Sequence, residues 1–81
     1  MPAKELTLFS RRGCHLCELM IEELIPLCRD QARLTVIDVD TQPDWRERYG
    51  LRVPVLCIGD QEICAVQLDR AAVLEVLAKS A

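Results

Sequence analysis

The chain is poor in aromatic residues, with one each of tryptophan, tyrosine and phenylalanine, and it has three glycines and a single histidine among its 81 residues. No apolar run approaches the roughly 20 residues that a membrane-spanning helix needs. The first residues, Met1-Pro2-Ala3-Lys4-Glu5, lack the apolar core of a secretory signal. Neither repeat, nor low-complexity segment, nor linker interrupts the sequence. There is no basic excess either: the formal net charge is -3. Phosphate binding needs a basic face, so nucleic acid is not the expected partner. These absences point to one small domain in the cytosol with a modest core.

What the sequence does hold is cysteine. Five cysteines would fit a disulfide scaffold in a secreted chain, but the count is odd and the spacing beyond the first two is irregular. Reduced thiols plus one reactive pair are the better reading. That pair is Cys14 and Cys17, set in Ser10-Arg11-Arg12-Gly13-Cys14-His15-Leu16-Cys17. A tetrahedral zinc site would need a second pair of ligands at motif spacing. Among His15, Cys28, Cys57 and Cys64 no two form one, and no metal is expected. A dithiol between a strand-like run and a helix-like run reads instead as a redox site. With Cys14 at the mouth of the helix and Cys17 one turn in, the two side chains come within bridging distance. The unpaired N–H groups and partial positive charge of the helix N-terminus then favour a thiolate at Cys14, which is the reacting species. Arg11, Arg12 and His15 flank the pair and act in the same direction. Arg46, Arg48 and Arg52 are further cations that folding can gather near it, giving local attraction for an anionic thiol substrate.

Leu6–Phe9 reads as a first buried strand. From His15 to about Ala32 the apolar positions Leu16, Leu19, Met20, Leu24, Leu27 and Cys28 recur at helical spacing, with Glu18, Glu22 and Glu23 elsewhere. Pro26 predicts a kink or two helical pieces. Leu34–Asp40 is a second strand, β-branched and acidic at its tip. Thr41 or Gln42 caps a short helix with Pro43 in its first turn, Trp45 and Tyr49 on its inner face as core, and Gly50 at its end. Leu51–Ile58 is a third strand, Gly59-Asp60 a tight hairpin turn, and Glu62–Val66 the antiparallel return. Asp69 caps a last helix carrying Ala72, Val73, Val76 and Leu77. The order β-α-β-α-β-β-α predicts one α/β domain over residues 1–81, a four-stranded mixed sheet with helices on both faces.

Cys14-His15-Leu16-Cys17 after a first strand, together with Val53-Pro54 before a later one, resembles the thioredoxin-like superfamily. The small size resembles its glutaredoxin-like branch, as do Val36-Ile37-Asp38-Val39-Asp40 and Tyr49-Gly50-Leu51-Arg52-Val53-Pro54-Val55-Leu56. The resemblance implies the three-layer fold of that branch and a thiol–disulfide oxidoreductase in which Cys14 attacks and Cys17 resolves. It implies a cis Val53–Pro54 bond, leaving the Val53 backbone free to pair with an extended substrate. Arg11 matches the family's basic residue before the motif, which meets a glycyl carboxylate, and His15 can hydrogen-bond or place charge beside the Cys14 sulfur. At the family's Gly-Gly and acidic residue this chain has Cys64-Ala65-Val66-Gln67, so glutathione binding is expected to be weak or absent and no cofactor is expected to be bound. Cys28, Cys57 and Cys64 read as buried small hydrophobes, with Cys64 near the expected groove as an additional thiol. The implied partners are a disulfide-containing protein or a small-molecule thiol, with glutathione or a reductase as electron donor, acting on a monomer. The alternative is a binding module of the same fold, a metal or iron–sulfur carrier or partner-docking domain, without turnover.

Overall fold

The computed structural model describes residues 4–79. Its elements are β1 (Lys4–Ser10), α1 (His15–Cys28), β2 (Ala32–Asp38), a single 3-10 turn (Val39–Thr41), α2 (Pro43–Tyr49), β3 (Val55–Ile58), β4 (Gln61–Ala65) and α3 (Arg70–Ala78). The strands form one mixed sheet in the order β2-β1-β3-β4. β1 runs parallel to β2 and antiparallel to β3, and β3 pairs antiparallel with β4. Among the described residues no helix is long and apolar enough to cross a membrane.

Strand alternation divides the core between the two faces of the sheet. Leu6 and Leu8 point one way, opposite Leu34 and Leu56 in the register, and meet Met20, Leu24 and Cys28 of α1 and Val73 and Leu77 of α3. Phe9, Val55 and Cys57 point the other way and meet Val39, with Trp45 and Tyr49 of α2 packed on them. The Phe9 and Tyr49 rings stack with centroids 4.0 Å apart, and Trp45 lies tilted at 5.9 Å. Trp45 and Tyr49 are therefore core packing, as their spacing predicts.

Several boundaries differ from the pattern in the sequence. α1 is one helix through Pro26 and ends at Cys28, neither divided nor extended to Ala32. Pro26 lies two residues from the C-terminal end, so only one hydrogen bond of the helix, to the Glu22 carbonyl, is forgone. Ala32 instead begins β2, opposite Lys4. β2 stops at Asp38 and not Asp40, because the Asp38 side chain takes the Asp40 N–H at 2.9 Å and its carbonyl takes the Thr41 hydroxyl at 2.7 Å. Such local bonds offer the backbone an alternative to the ladder. With Thr41 so engaged, Gln42 is the N-cap of α2, without a side-chain cap bond. β3 begins only at Val55: Arg52 N–H bonds back to the Tyr49 carbonyl at 2.8 Å, Leu51 is fully exposed, and Pro54 has no N–H to donate.

Candidate active site

The loop from Ser10 to Cys14 is short because Cys14 N–H bonds to the Arg11 carbonyl at 3.2 Å, a turn that needs the left-handed backbone of Gly13 (φ 77°). This turn sets Cys14 as the N-cap of α1, in extended conformation, with its Sγ accepting the Cys17 N–H at 3.2 Å. Cys14 and Cys17 are joined as a disulfide, their Cα atoms 5.2 Å apart. Cys17 is 2% exposed, whereas Cys14 is half-buried. Of the two sulfurs, the more exposed residue's is thus the one at the helix mouth, beside a backbone donor and the positive end of the helix dipole.

The pairing of Phe9 with Val55 places Pro54 at the Ser10 end of the sheet, the end that leads into the dithiol turn. The Val53–Pro54 bond is cis, and Pro54 is buried. The Pro54 carbonyl accepts Val66 N–H at 2.8 Å, while the N–H and carbonyl of Val53 have no partner among the described residues. Val66 itself has φ 70°, with Gln67 N–H bonded to the Ala65 carbonyl at 2.7 Å. That is the geometry of the rare γ-turn, strained for a β-branched residue.

His15 is exposed, and among the described residues its side chain makes no hydrogen bond; the donor to the Cys14 sulfur is the Cys17 backbone. The arginines do not gather as one cationic patch. Arg11 donates from Nε and Nη2 to the two carboxylate oxygens of Asp40, at 3.0 and 3.2 Å, and from Nη1 to the Gly50 carbonyl at 3.3 Å. Arg46 donates from Nε to the same carboxylate at 3.2 Å. The Arg11 hydrogen bonds foremost, then the Arg46 charge, hold the Asp40 carboxyl below its ordinary range. Arg52 forms a bidentate pair with Glu62 on β4, and Arg48 lies 5.9 Å from the Tyr49 ring. Arg12 is exposed, with no ion-pair partner among the described residues. The Arg11–Asp40 and Arg52–Glu62 pairs are not legible from spacing, their partners being 29 and 10 residues apart.

Cys28 and Cys57 are buried and Cys64 half-buried, all three as free thiols. Burial pushes each of them up, away from the reactive thiolate. Beside the dithiol, Leu16, Leu19 and Val66 are 43, 41 and 43% exposed. They line an open groove completed by Met20, Glu23 and Leu68. This groove escapes the sequence because Leu16 and Leu19 fit the periodicity of core positions.

Residues 5–78 match the family model described as Glutaredoxin-like domain. A structural-genomics target protein from X. campestris has a similar solved structure, at 30% identity and TM-score 0.70, covering 89% of this chain and 93% of that one. Glutaredoxin C1 from Populus tremula x tremuloides, solved in its holo form, is similar at 20% identity and TM-score 0.50, over 86% of this chain and 70% of that one. The poplar likeness is one of fold alone. A search of curated proteins returned no match.

Proposed function

This chain belongs to the glutaredoxin-like domain family, and we propose that it is a thiol–disulfide oxidoreductase in which Cys14 attacks and Cys17 resolves. The observation that carries this reading is the pairing of a half-buried Cys14, capped by the Cys17 N–H, with a buried Cys17 in bridging reach. The Cys14 thiolate attacks one sulfur of a substrate disulfide, forming a mixed disulfide and releasing the other half as a thiolate. Cys17 then attacks the Cys14 sulfur, the Cys14–Cys17 bond forms, and the second half leaves as a thiol. Two electrons have passed to the substrate, and two equivalents of a reducing thiol, glutathione or a dithiol reductase, return the pair to its reduced state. The unpartnered Val53 N–H and carbonyl offer an extended substrate main-chain bonds beside the attacked sulfur.

Glutathione enters this scheme as a weak ligand at most, since Cys64 and Ala65 stand where the family has the paired glycines that allow a close backbone approach. No bound cofactor is required. A dithiol contained within one chain works as a monomer, and free Cys28, Cys57 and Cys64 suit a reducing compartment such as the cytosol.

Trapping tests the assignment. Reduced Cys17→Ser protein, offered a protein disulfide, should accumulate a mixed disulfide on Cys14 that mass spectrometry locates, and Cys14→Ser should form none and lose turnover. A Cys14–Cys17 pair that resists reduction across the range of roughly −120 to −270 mV, where exchange enzymes poise, would sink the reading.

A further inference from the structure

The exchange chemistry leaves one feature of the site unused. Arg11 opens the turn that carries Cys14, and a free guanidinium there would draw anionic disulfides to the sulfur. Its Nε and Nη2 are instead engaged by the Asp40 carboxylate and its Nη1 by the Gly50 carbonyl. Asp40 also holds Arg46, through the side chain at 3.2 Å and through its own carbonyl at 3.4 Å. The carboxylate is seated by the Asp38 side chain, which fixes the Asp40 N–H. The close approach requires glycine at position 50: a Cβ there would collide with the Arg46 carbonyl and stand 3.1 Å from Arg11 Nη2. The charge on α1 agrees. The groove of Leu16, Leu19 and Val66 carries Glu23 on its rim, and α1 adds the exposed Glu18 and Glu22.

We propose that Asp40 is a specificity-determining residue, an internal counter-ion that occupies the carboxylate-binding edge of Arg11 and turns the dithiol from anionic towards neutral or cationic disulfides. The inference rests on Cys14 as the attacking sulfur, and it names the substrate class: apolar or basic segments of protein disulfides in preference to small anionic ones.

The test uses two thiol probes of opposite charge, a methanethiosulfonate bearing a sulfonate and one bearing a trimethylammonium group. Their reaction with the reduced full-length chain is followed at Cys14 by mass spectrometry in a Cys17→Ser background, where no neighbouring thiol displaces the adduct, and the variants below are compared in that background. Asp40→Asn should raise the ratio of anionic to cationic probe rates about three- to tenfold at low ionic strength. That gain should shrink at high salt. Asp40→Glu should keep the wild-type ratio, and Arg11→Gln added to Asp40→Asn should remove most of the gain. Asp40→Ser serves if the Asn variant does not fold. A ratio within twofold of wild type, or a gain indifferent to salt, overturns the proposal. The probes need only an accessible Cys14 thiolate and no turnover, so failure here and failure of the exchange mechanism are separate results.

Discussion

On one face of the sheet, α1 and α3 bury Met20, Leu24, Cys28, Val73 and Leu77 against Leu6, Leu8 and Leu56. On the other face α2 buries no residue completely and rests on Phe9, Val55 and Cys57 through two aromatic rings. The first face is aliphatic, with eight buried residues in its core among the described residues. The second is thin, and its contacts are supplemented by Arg11, Asp40 and Arg46. The difference separates two jobs. The aliphatic face fixes the start of α1, hence Cys14 and Cys17, while the aromatic face holds the segment from Gly50 to Pro54 that borders the site. A deep core anchors the helix that carries the dithiol, and a shallow one leaves the Gly50–Pro54 segment held in part by polar contacts.

Substitutions can break this contrast. The largest effect is expected on the aliphatic face: Leu24→Ala should lower stability by about 2–5 kcal/mol in urea unfolding, through lost burial and the cavity left behind. Gly50→Ala should cost about 1–3 kcal/mol, since the added methyl meets the Arg46 carbonyl and the Arg11 guanidinium together. Equal losses at Leu24 and Gly50 would remove the distinction between the faces. Tyr49→Leu should cost roughly 0.5–1.5 kcal/mol, the part of an aromatic stack that exceeds simple burial, with little change at the aliphatic face. Amide exchange should then speed in α2 before α1.

The smallest effect is electrostatic. Arg11 and Arg46 hold the Asp40 carboxyl below its ordinary value. A depressed folded-state pKa means stability that is fully present above the unfolded value of about 3.9 and lost as pH falls through the folded value. Glu62, held down by Arg52, behaves in the same sense. Both groups are exposed, so the contribution is small. The difference between wild type and Asp40→Asn in urea midpoint should be present at neutral pH and close as the solution is acidified below about pH 4. A difference that persists at pH 2 would show that Asp40 acts through something other than its charge.

Much of this architecture is legible in the chain. The dithiol shows in Cys14-His15-Leu16-Cys17 because its chemistry is local, one helical turn and one N-terminus. The last helix shows in Asp69, whose carboxylate takes the Ala72 N–H at 3.1 Å as an N-cap should. The ends of β2 and β3 were not legible, since Val39 and Asp40 look like strand until Asp38 diverts the backbone. Leu51 and Val53 look like strand until the Tyr49 carbonyl and Pro54 close it off. The groove was hidden for a related reason: Leu16 and Leu19 carry the apolar period of a buried face, and only the placement of the 66–68 segment shows that they remain open.

From the sequence alone came the Cys14–Cys17 pair, the order of the elements and the helical faces that meet the sheet, because each depends on neighbours within a few positions and on the periods of strand and helix. Tertiary structure alone decided that Arg11 faces Asp40 and Gly50, that Arg52 faces Glu62, and that Val66 is held in a strained turn by the Pro54 carbonyl. Charges and carbonyls far apart along the chain have no pattern in sequence that fixes their pairing. They meet only when the sheet register brings the ends of β1, β2 and β3 to one edge of the molecule.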